Sequence, residues 1–270
     1  MGVPLLLVDA FTDRPFSGNP AAVCLLPQWR DDRWLQSLAA EMKQSETAYL
    51  VRNADGFDLR WFTPAVEVDL CGHATLASAH ALWEQGLAAS SSPIRFATRS
   101  GTLTAVRQEG WIDLNFPLNA EERVEPPPEL LPALGVTALY VGKSRFDYLV
   151  EVESEAVLRN MTPDFRRLAS APVRGTIVTS RSSDPRFDFV SRFFAPAAGI
   201  DEDPVTGSAH CCLADFWRKR LDKTEFVAYQ ASKRGGVVRV SVRNDRVILG
   251  GQAVTVTKGE LTGHAVEGGA

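Results

Sequence analysis

The sequence has few cysteines and lacks long basic runs and long apolar runs. Four cysteines occur, none of them in a C-x-x-C pair: Cys24, Cys71, Cys211 and Cys212. This usage is typical of free thiols in a reducing compartment. No basic run exceeds three residues and the formal net charge is −4, which argues against nucleic acid or an anionic membrane as a partner. Because the apolar run at residues 3–8 is too short for a secretion signal or a membrane span, we expect a cytoplasmic protein.

The sequence also lacks the motifs that mark nucleotide, cofactor and metal sites. It contains no G-x-G-x-x-G or Walker A pattern and no G-x-S-x-G elbow, so neither a dinucleotide site nor a serine hydrolase is predicted. Ser208 and His210 stand two residues apart on a predicted helix and would point in different directions. His73 and His80 are seven residues apart, which does not match the i, i+4 spacing of metal ligands on a helix. We therefore expect chemistry without a metal or another cofactor.

What the sequence does contain is an internal repeat. Residues 60–65 read Arg-Trp-Phe-Thr-Pro-Ala and residues 192–197 read Arg-Phe-Phe-Ala-Pro-Ala, in a chain of 270 residues. Each copy continues through an acidic patch and a glycine into a helix of small residues, and this register places Cys71 opposite Asp203. Such a repeat predicts a duplicated domain. The unusual residues gather at the repeated loop, so we expect the chemistry in a cleft between the two halves.

Short strands interleaved with a few helices are predicted along the chain, which favours an α+β fold. Helices are predicted at residues 31–42, 74–87, 163–169 and 206–220. Strands are predicted at residues 5–10, 21–26, 47–51, 57–63, 94–98, 102–107, 111–115, 139–141, 148–152, 174–179, 187–194, 226–229, 237–242 and 247–256. A segment rich in proline and glutamate predicts a linker. The predicted parts are an N-terminal half at 1–117, with 258–270 as a candidate addition, a linker at 118–132 and a C-terminal half at 133–257.

The first candidate site is a predicted helix start that contains Gly72 and His73. Glycine at this position lets a ligand approach the backbone closely, and the first amides of a helix are donors that attract an anion. His73 can accept or donate a proton near neutral pH. An ordinary turn glycine followed by a surface histidine would leave the same pattern, and the residues alone do not separate the two interpretations.

The corresponding helix start in the second half contains Asp203, Gly207 and Ser208. Two such helix starts could hold a small carboxylic acid, because each offers amide donors and partial positive charge. The alternative is a plain N-cap, in which Asp203 or Thr206 binds the first amides of the helix.

Glu46 is the third candidate, since it stands between a predicted helix and the apolar strand at residues 47–51. A carboxylate that is partly removed from water has a raised pKa, and such a group suits a general base that works at neutral pH. The alternative is a solvated glutamate at a strand edge, which is the more common situation for this residue type.

Seven segments together resemble the PhzF-like phenazine-biosynthesis family over essentially the whole chain. They are residues 8–12, 18–23, 45–47, 62–64, 70–75, 201–210 and 230–236. The resemblance implies the fold of diaminopimelate epimerase, in which two pseudo-symmetric domains each wrap a mostly antiparallel curved sheet around a central helix. It also suggests a homodimer.

The resemblance implies a function as well. The family's named activity is the isomerisation of a dihydro-hydroxyanthranilate, in which a proton moves between ring carbons without a cofactor. By this resemblance Glu46 is the acid/base, and the substrate is a small carboxylic acid. The positions of His73, Asp203 and Ser208 are those that contact substrate or assist proton movement. Two other functions stay open, an amino-acid-type epimerase or racemase and a small-acid-binding protein without turnover.

Cys71 marks a departure from the epimerases of this fold, in which two cysteines face the substrate and act as acid and base. Cys71 matches one of those positions, but in the repeat register its counterpart is Asp203. A symmetrical two-thiol racemase is therefore not expected. The favoured interpretation of Cys71 is a small buried side chain without a chemical role.

Overall fold

The computed structural model describes residues 2–89, 91–171, 173–263 and 265. Contacts divide the chain into two compact units. The described residues of the first unit fall in the ranges Met1–Asn115 and Gly250–Ala270, and those of the second in Phe116–Leu249. Within the predicted C-terminal addition at 258–270, residues 264 and 266–270 lie outside the described residues. No helix in the described part of the chain is long and apolar enough to cross a membrane.

The chain forms short strands and six α-helices within the described residues. The elements of the first part are β1 (Val3–Ala10), β2 (Asn19–Leu26), α1 (Asp32–Met42), β3 (Glu46–Asn53), β4 (Gly56–Phe62), β5 (Glu67–Val68), α2 (Gly72–Glu84), β6 (Ile94–Thr98), β7 (Gly101–Gln108) and β8 (Trp111–Pro117). The remaining elements are β9 (Glu122–Arg123), α3 (Leu130–Leu134), β10 (Ala138–Lys143), β11 (Asp147–Val152), α4 (Glu155–Asn160), α5 (Phe165–Leu168), β12 (Gly175–Arg181), β13 (Phe189–Phe194), α6 (Gly207–Leu221), β14 (Glu225–Gln230), β15 (Gly236–Arg243), β16 (Arg246–Gly251) and β17 (Ala253–Leu261).

The sheet of the first unit is mostly antiparallel. Its strands pair in the order β17, β1, β2, β3, β4, β6, β7 and β8, and the short strand β5 pairs with the end of β4. Only the pairs β2–β3 and β4–β6 are parallel. Each parallel pair requires a crossover connection, and α1 and α2 provide the two crossovers.

The sheet of the second unit repeats this plan. Its strands pair in the order β9, β10, β11, β12, β13, β14 and β15, with β11–β12 and β13–β14 parallel and the other pairs antiparallel. The series β10 to β15 therefore matches β1, β2, β3, β4, β6 and β7 in order and direction. The first crossover contains α4 and α5, and the second contains α6. This confirms the predicted α+β fold with two pseudo-symmetric parts.

One helix in each unit is buried on nearly all sides, which is the arrangement expected for a helix inside a curved sheet. Ten of the thirteen residues of α2 are buried, and the helix packs against β1, β2, β3 and β17. Its small residues let the strands approach closely. The hydroxyls of Thr75 and Ser78 donate to backbone carbonyls one turn earlier, at 2.6 and 2.7 Å, so they are satisfied without water. In α6, ten of fifteen residues are buried.

Several predicted elements differ from those observed. The segment at 118–132, predicted as a linker, contains β9 and the start of α3, and Leu130 belongs to a core cluster of the second unit. The helix predicted at 163–169 is the short α5, and α4 was not predicted because six residues are too few to show a period. The strand predicted at 247–256 is two strands, since β16 ends at Gly251 and β17 pairs with β1.

Candidate active site

The predicted site residues fall at strand and helix starts, three in each unit. Glu46 begins β3, and Gly72 and His73 are the first two residues of α2. In the second unit Asp203 precedes α6, whose first two residues are Gly207 and Ser208. The structure thus groups Glu46 with His73, and Asp203 with the start of α6.

The pairing of the strands explains how Glu46 comes to lie beside His73. In the antiparallel pair β1–β2, Ala10 lies opposite Asn19, and in the parallel pair β2–β3, Ala21 lies opposite Glu46. Asn19 and Glu46 therefore stand at the same edge of the sheet. The start of α2 meets this edge, and the Nε2 atom of His73 lies 3.3 Å from Oε2 of Glu46.

Hydrogen bonds around His73 fix the position of its proton. Nδ2 of Asn19, which can only donate, lies 3.2 Å from Nδ1 of His73, so Nδ1 is the acceptor. The proton of the neutral ring is therefore on Nε2, which donates to the hydroxyl of Ser45 at 3.2 Å and lies close to the Glu46 carboxylate. Ser45 in turn donates to Oδ1 of Asn19 at 3.3 Å. Asn19, Ser45 and His73 form a closed network beside Glu46.

Burial keeps His73 neutral. It lowers the pKa of His73 to about 3, so the 3.3 Å approach of its Nε2 to Oε2 of Glu46 is a contact between a neutral imidazole and a carboxylate rather than an ion pair. The Glu46 side chain is only 15% exposed, which excludes the alternative of a solvated glutamate at a strand edge. His73 is likewise buried rather than a surface residue. The site therefore combines a mostly buried carboxylate with a donor that does not titrate near neutral pH.

Cys71 lies close to both His73 and Glu46. All four cysteines are free thiols, and burial raises the pKa of Cys24 and Cys211 to about 12. The Sγ atom of Cys71 is 3.5 Å from Nδ1 of His73. Ligand atoms of Glu46, Cys71 and His73 lie within 4.8 Å of one another, but the carboxylate and the thiol approach different nitrogens of the ring. We interpret the cluster as a set of polar contacts around a neutral imidazole.

Two buried histidines make the stability of the protein sensitive to acid. Burial lowers the pKa of His73 to about 3 and that of His210 to about 4, from an ordinary value of 6.5. Between these values and pH 6.5 the unfolded chain binds more protons than the folded one, so stability falls as the pH falls. Each histidine is expected to lower the free energy of unfolding by roughly 2 kcal/mol between pH 7.5 and pH 5. Denaturant unfolding at the two pH values checks this, and an unchanged pH dependence in His210→Gln would contradict it.

In the second unit, Gln230 holds the loop between Asp203 and the start of α6. Its Oε1 accepts the N–H of Thr206 at 2.8 Å and its Nε2 donates to the carbonyl of Asp203 at 2.7 Å. The side chain of Gln230 is fully buried at the end of β14. The hydroxyl of Thr206 donates to Oδ2 of Asp203 at 2.5 Å, so the carboxylate has a fixed direction. In the sequence, Gln230 begins one of the segments that resemble the family, but no pattern indicates a role for it.

Replacement of Gln230 by alanine is expected to lower the free energy of unfolding by about 2–4 kcal/mol, because two backbone groups lose their partner and a cavity forms. Gln85 provides the control, since its Nε2 is buried without a hydrogen-bond partner among the described residues. Gln85→Ala should cost less than Gln230→Ala. Denaturant unfolding of both variants measures the difference, and equal losses would show that the bonds of Gln230 are not important for the loop.

The two central helices differ from three others in how they begin. Side chains of Asp31, Ser154 and Asp164 cap α1, α4 and α5. The N-cap residues of α2 and α6 are Cys71 and Thr206, and neither makes a side-chain capping bond. Thr206 therefore does not cap α6 through its side chain. Uncapped first amides remain able to bind an anion.

The helix starts also correct the register of the repeat. Strand residues match at a spacing of 132, but α2 begins at Gly72 and α6 at Gly207. The second copy therefore has additional residues between the repeated segment, which ends at Ala197, and the start of its helix. Thr206 rather than Asp203 therefore occupies the position of Cys71 at the N-cap.

Comparison with known proteins gives the same family as the sequence segments. Residues 8–259 match the family model of phenazine biosynthesis-like proteins, PhzC-PhzF. The chain is 55% identical to an uncharacterized isomerase of Halalkalibacterium halodurans over 263 residues, which cover 97% of this chain and 99% of the relative. It matches a PhzF-family crystal structure from Enterococcus faecalis with a TM-score of 0.93 and 41% identity, covering 97% of this chain and 100% of that chain. The structure of a predicted epimerase from Pseudomonas aeruginosa shares the fold at a TM-score of 0.74 and 21% identity, covering 96% and 99% of the two chains. The chain therefore belongs to the PhzC-PhzF family of phenazine biosynthesis-like proteins.

Proposed function

We propose that the protein is an isomerase that moves a proton on a small unsaturated or cyclic carboxylic acid without a cofactor. The observation that carries the proposal is the mostly buried Glu46 carboxylate, whose Oε2 lies 3.3 Å from Nε2 of a neutral His73. The name of the Halalkalibacterium halodurans relative, an uncharacterized isomerase, supports the reaction class.

In this proposal Glu46 acts first as a base and then as an acid. Its carboxylate takes a proton from a carbon beside an unsaturated system, and after this proton exchanges with solvent the carboxylic acid delivers a proton to a different carbon. His73 keeps its proton on Nε2 and does not compete as a base at neutral pH, because burial lowers its pKa to about 3. It can therefore orient the carboxylate and stabilise negative charge as a donor. A well-placed acid/base contributes about 10²–10⁴-fold, so positioning and electrostatic stabilisation must supply the remainder.

We assign the carboxylate of the substrate to the helix starts. Gly72 and His73 open α2, and Gly207 and Ser208 open α6, both helices without a side-chain cap. Glycine at the first position leaves the backbone accessible, and the uncapped amides provide donors for an anion. The proposal gives Asp203 an assisting role in the movement of the proton.

A symmetrical two-thiol epimerase is the less favoured alternative. The thiol of Cys71 lies against His73, but the matching N-cap of the second unit is Thr206. A threonine hydroxyl is a poor acid or base at neutral pH compared with a thiol. A racemase of this kind would lack one of its two acid/base groups.

A deuterium-uptake screen tests the proposed function. The purified protein is incubated in D₂O with pools of small organic acids, and each acid is then analysed by mass spectrometry. We expect at least one unsaturated acid to gain deuterium at carbon. An acid that is retained by the protein but never exchanges would instead indicate a binding protein without turnover.

A further inference from the structure

Phe16 has an unfavourable backbone conformation and an exposed ring. It lies in the loop that joins β1 to β2, with a φ of 67°, in the left-handed region that is costly for a bulky residue. Its side chain is 74% exposed. Phe11 in the same loop has a φ of 62°, but its ring is fully buried and contributes to the core. Phe16 therefore bears the same backbone cost without the compensation of burial.

The loop is built to hold this conformation. The N–H of Phe16 donates to Oδ2 of Asp9 at 2.7 Å, and Asp9 is itself buried. Gly18 has a φ of 64°, and a Cβ at this position would lie 2.1 Å from the carbonyl oxygen of Ala10. Only glycine permits this close approach. The structure thus fixes Phe16 in the loop with its ring in solvent, at a place where strain is often associated with function.

The loop lies at the same edge of the sheet as the candidate site. β1 ends at Ala10, which pairs with Asn19, the residue that follows the loop. The side chain of Asn19 binds His73. Glu46 begins the neighbouring strand, where it pairs with Ala21.

We propose that Phe16 is a specificity-determining residue that packs on the flat, unsaturated part of the substrate while Glu46 acts on it. This inference rests on the proposed function. Aromatic rings pair favourably with other flat unsaturated groups. The site therefore selects flat unsaturated acids over flexible saturated acids of similar charge.

Binding of two simple acids tests the selection. Anthranilate is flat and aromatic, whereas succinate is saturated and flexible, and NMR titration of the full chain measures both dissociation constants. Phe16→Ala is expected to weaken anthranilate binding about tenfold and to leave succinate binding unchanged. Leu139→Ala is the matched control, since Leu139 is 62% exposed in β10, and it should change neither. Unchanged anthranilate affinity in Phe16→Ala, an equal loss for succinate, or no anthranilate binding by the wild type would each overturn the proposal.

A glycine variant separates the ring from the backbone. Phe16→Gly removes both the ring and the left-handed cost, so it should melt about 2–4 °C above Phe16→Ala and bind anthranilate equally weakly. Glu109, with a φ of 50° in the turn between β7 and β8, is the control: its glycine and alanine variants should show the same difference in melting temperature and keep the wild-type affinity.

Sedimentation of Phe16→Ala should match that of the wild type. A changed oligomeric state with unchanged affinity would place the ring in a protein contact and refute the proposal.

Glu46→Gln distinguishes this inference from the proposed function. The variant is expected to lose exchange but to bind anthranilate like the wild type. Exchange that persists in Glu46→Gln, combined with weak binding by Phe16→Ala, would exclude Glu46 as the base but leave the role of Phe16 in binding supported. Lost exchange in Glu46→Gln, combined with wild-type binding by Phe16→Ala, would keep Glu46 as the base and overturn the role of Phe16.

Discussion

Glu46→Gln is expected to slow proton exchange on the substrate by about 10²–10⁴-fold. Glutamine has nearly the same shape as glutamate but cannot take a proton from carbon. Its side-chain amide can occupy the place of the carboxylate, whose Oε2 lies 3.3 Å from Nε2 of His73 in the wild type. The fold and the affinity for a small acid should therefore change little. Deuterium uptake and equilibrium binding, measured on the same preparation, separate the two effects.

Glu84→Gln is the matched control for this experiment. Glu84 is the last residue of α2 and is exposed, with its carboxylate accepting from the hydroxyl of Thr255. The same chemical change at this end of the helix should leave exchange at the wild-type rate. Undiminished exchange in Glu46→Gln would remove Glu46 from the role of base.

His73→Ala is expected to reduce turnover by about 10²-fold or more. The variant loses the imidazole that lies beside the Glu46 carboxylate, and the amide of Asn19 loses its contact with Nδ1. Steady-state kinetics should show the loss mainly in kcat, because the proposed role is in the reaction rather than in binding. Added imidazole should restore part of the activity, since it can enter the space that the side chain occupied.

The matched control for His73→Ala is His80→Ala on the same helix. His80 is half-buried and its Nε2 lies 3.1 Å from the hydroxyl of Thr255. We expect near-normal turnover in this variant and no response to imidazole. A similar loss in both variants, without rescue in either, would indicate damage to α2 rather than the removal of a specific donor.

Much of the fold could be predicted from the sequence because local patterns were consistent with it. The repeat at residues 60–65 and 192–197 lies at the ends of β4 and β13, the strands that precede the two central helices. The composition of small residues predicted α2 and α6, since a helix inside a curved sheet needs side chains that let strands approach. The predicted secondary structure was wrong where an element was too short to show a period or where the composition of a segment was misleading. A proline-rich segment was predicted as a linker although Leu130 packs in the core.

The candidate site was predictable only in part. The helix start alone indicates His73 as a candidate. For Glu46 the residues alone favour a solvated glutamate, and only the family resemblance indicates a role. Asn19 and Ser45, which complete the network around His73, were not assigned roles. Their importance depends on the strand register, which brings Asn19 to His73 across 54 positions of sequence. The Gly18-Asn19-Pro20 turn directly before an apolar strand is the pattern that could have identified the first of them.

The most direct test of the central claim is the position of deuterium in the product formed in D₂O, determined by ²H NMR. Movement of a proton by Glu46 predicts deuterium on a carbon other than the one that lost its hydrogen, with the double bond shifted accordingly. Deuterium on the original carbon with inverted configuration would contradict the isomerase and indicate an epimerase instead.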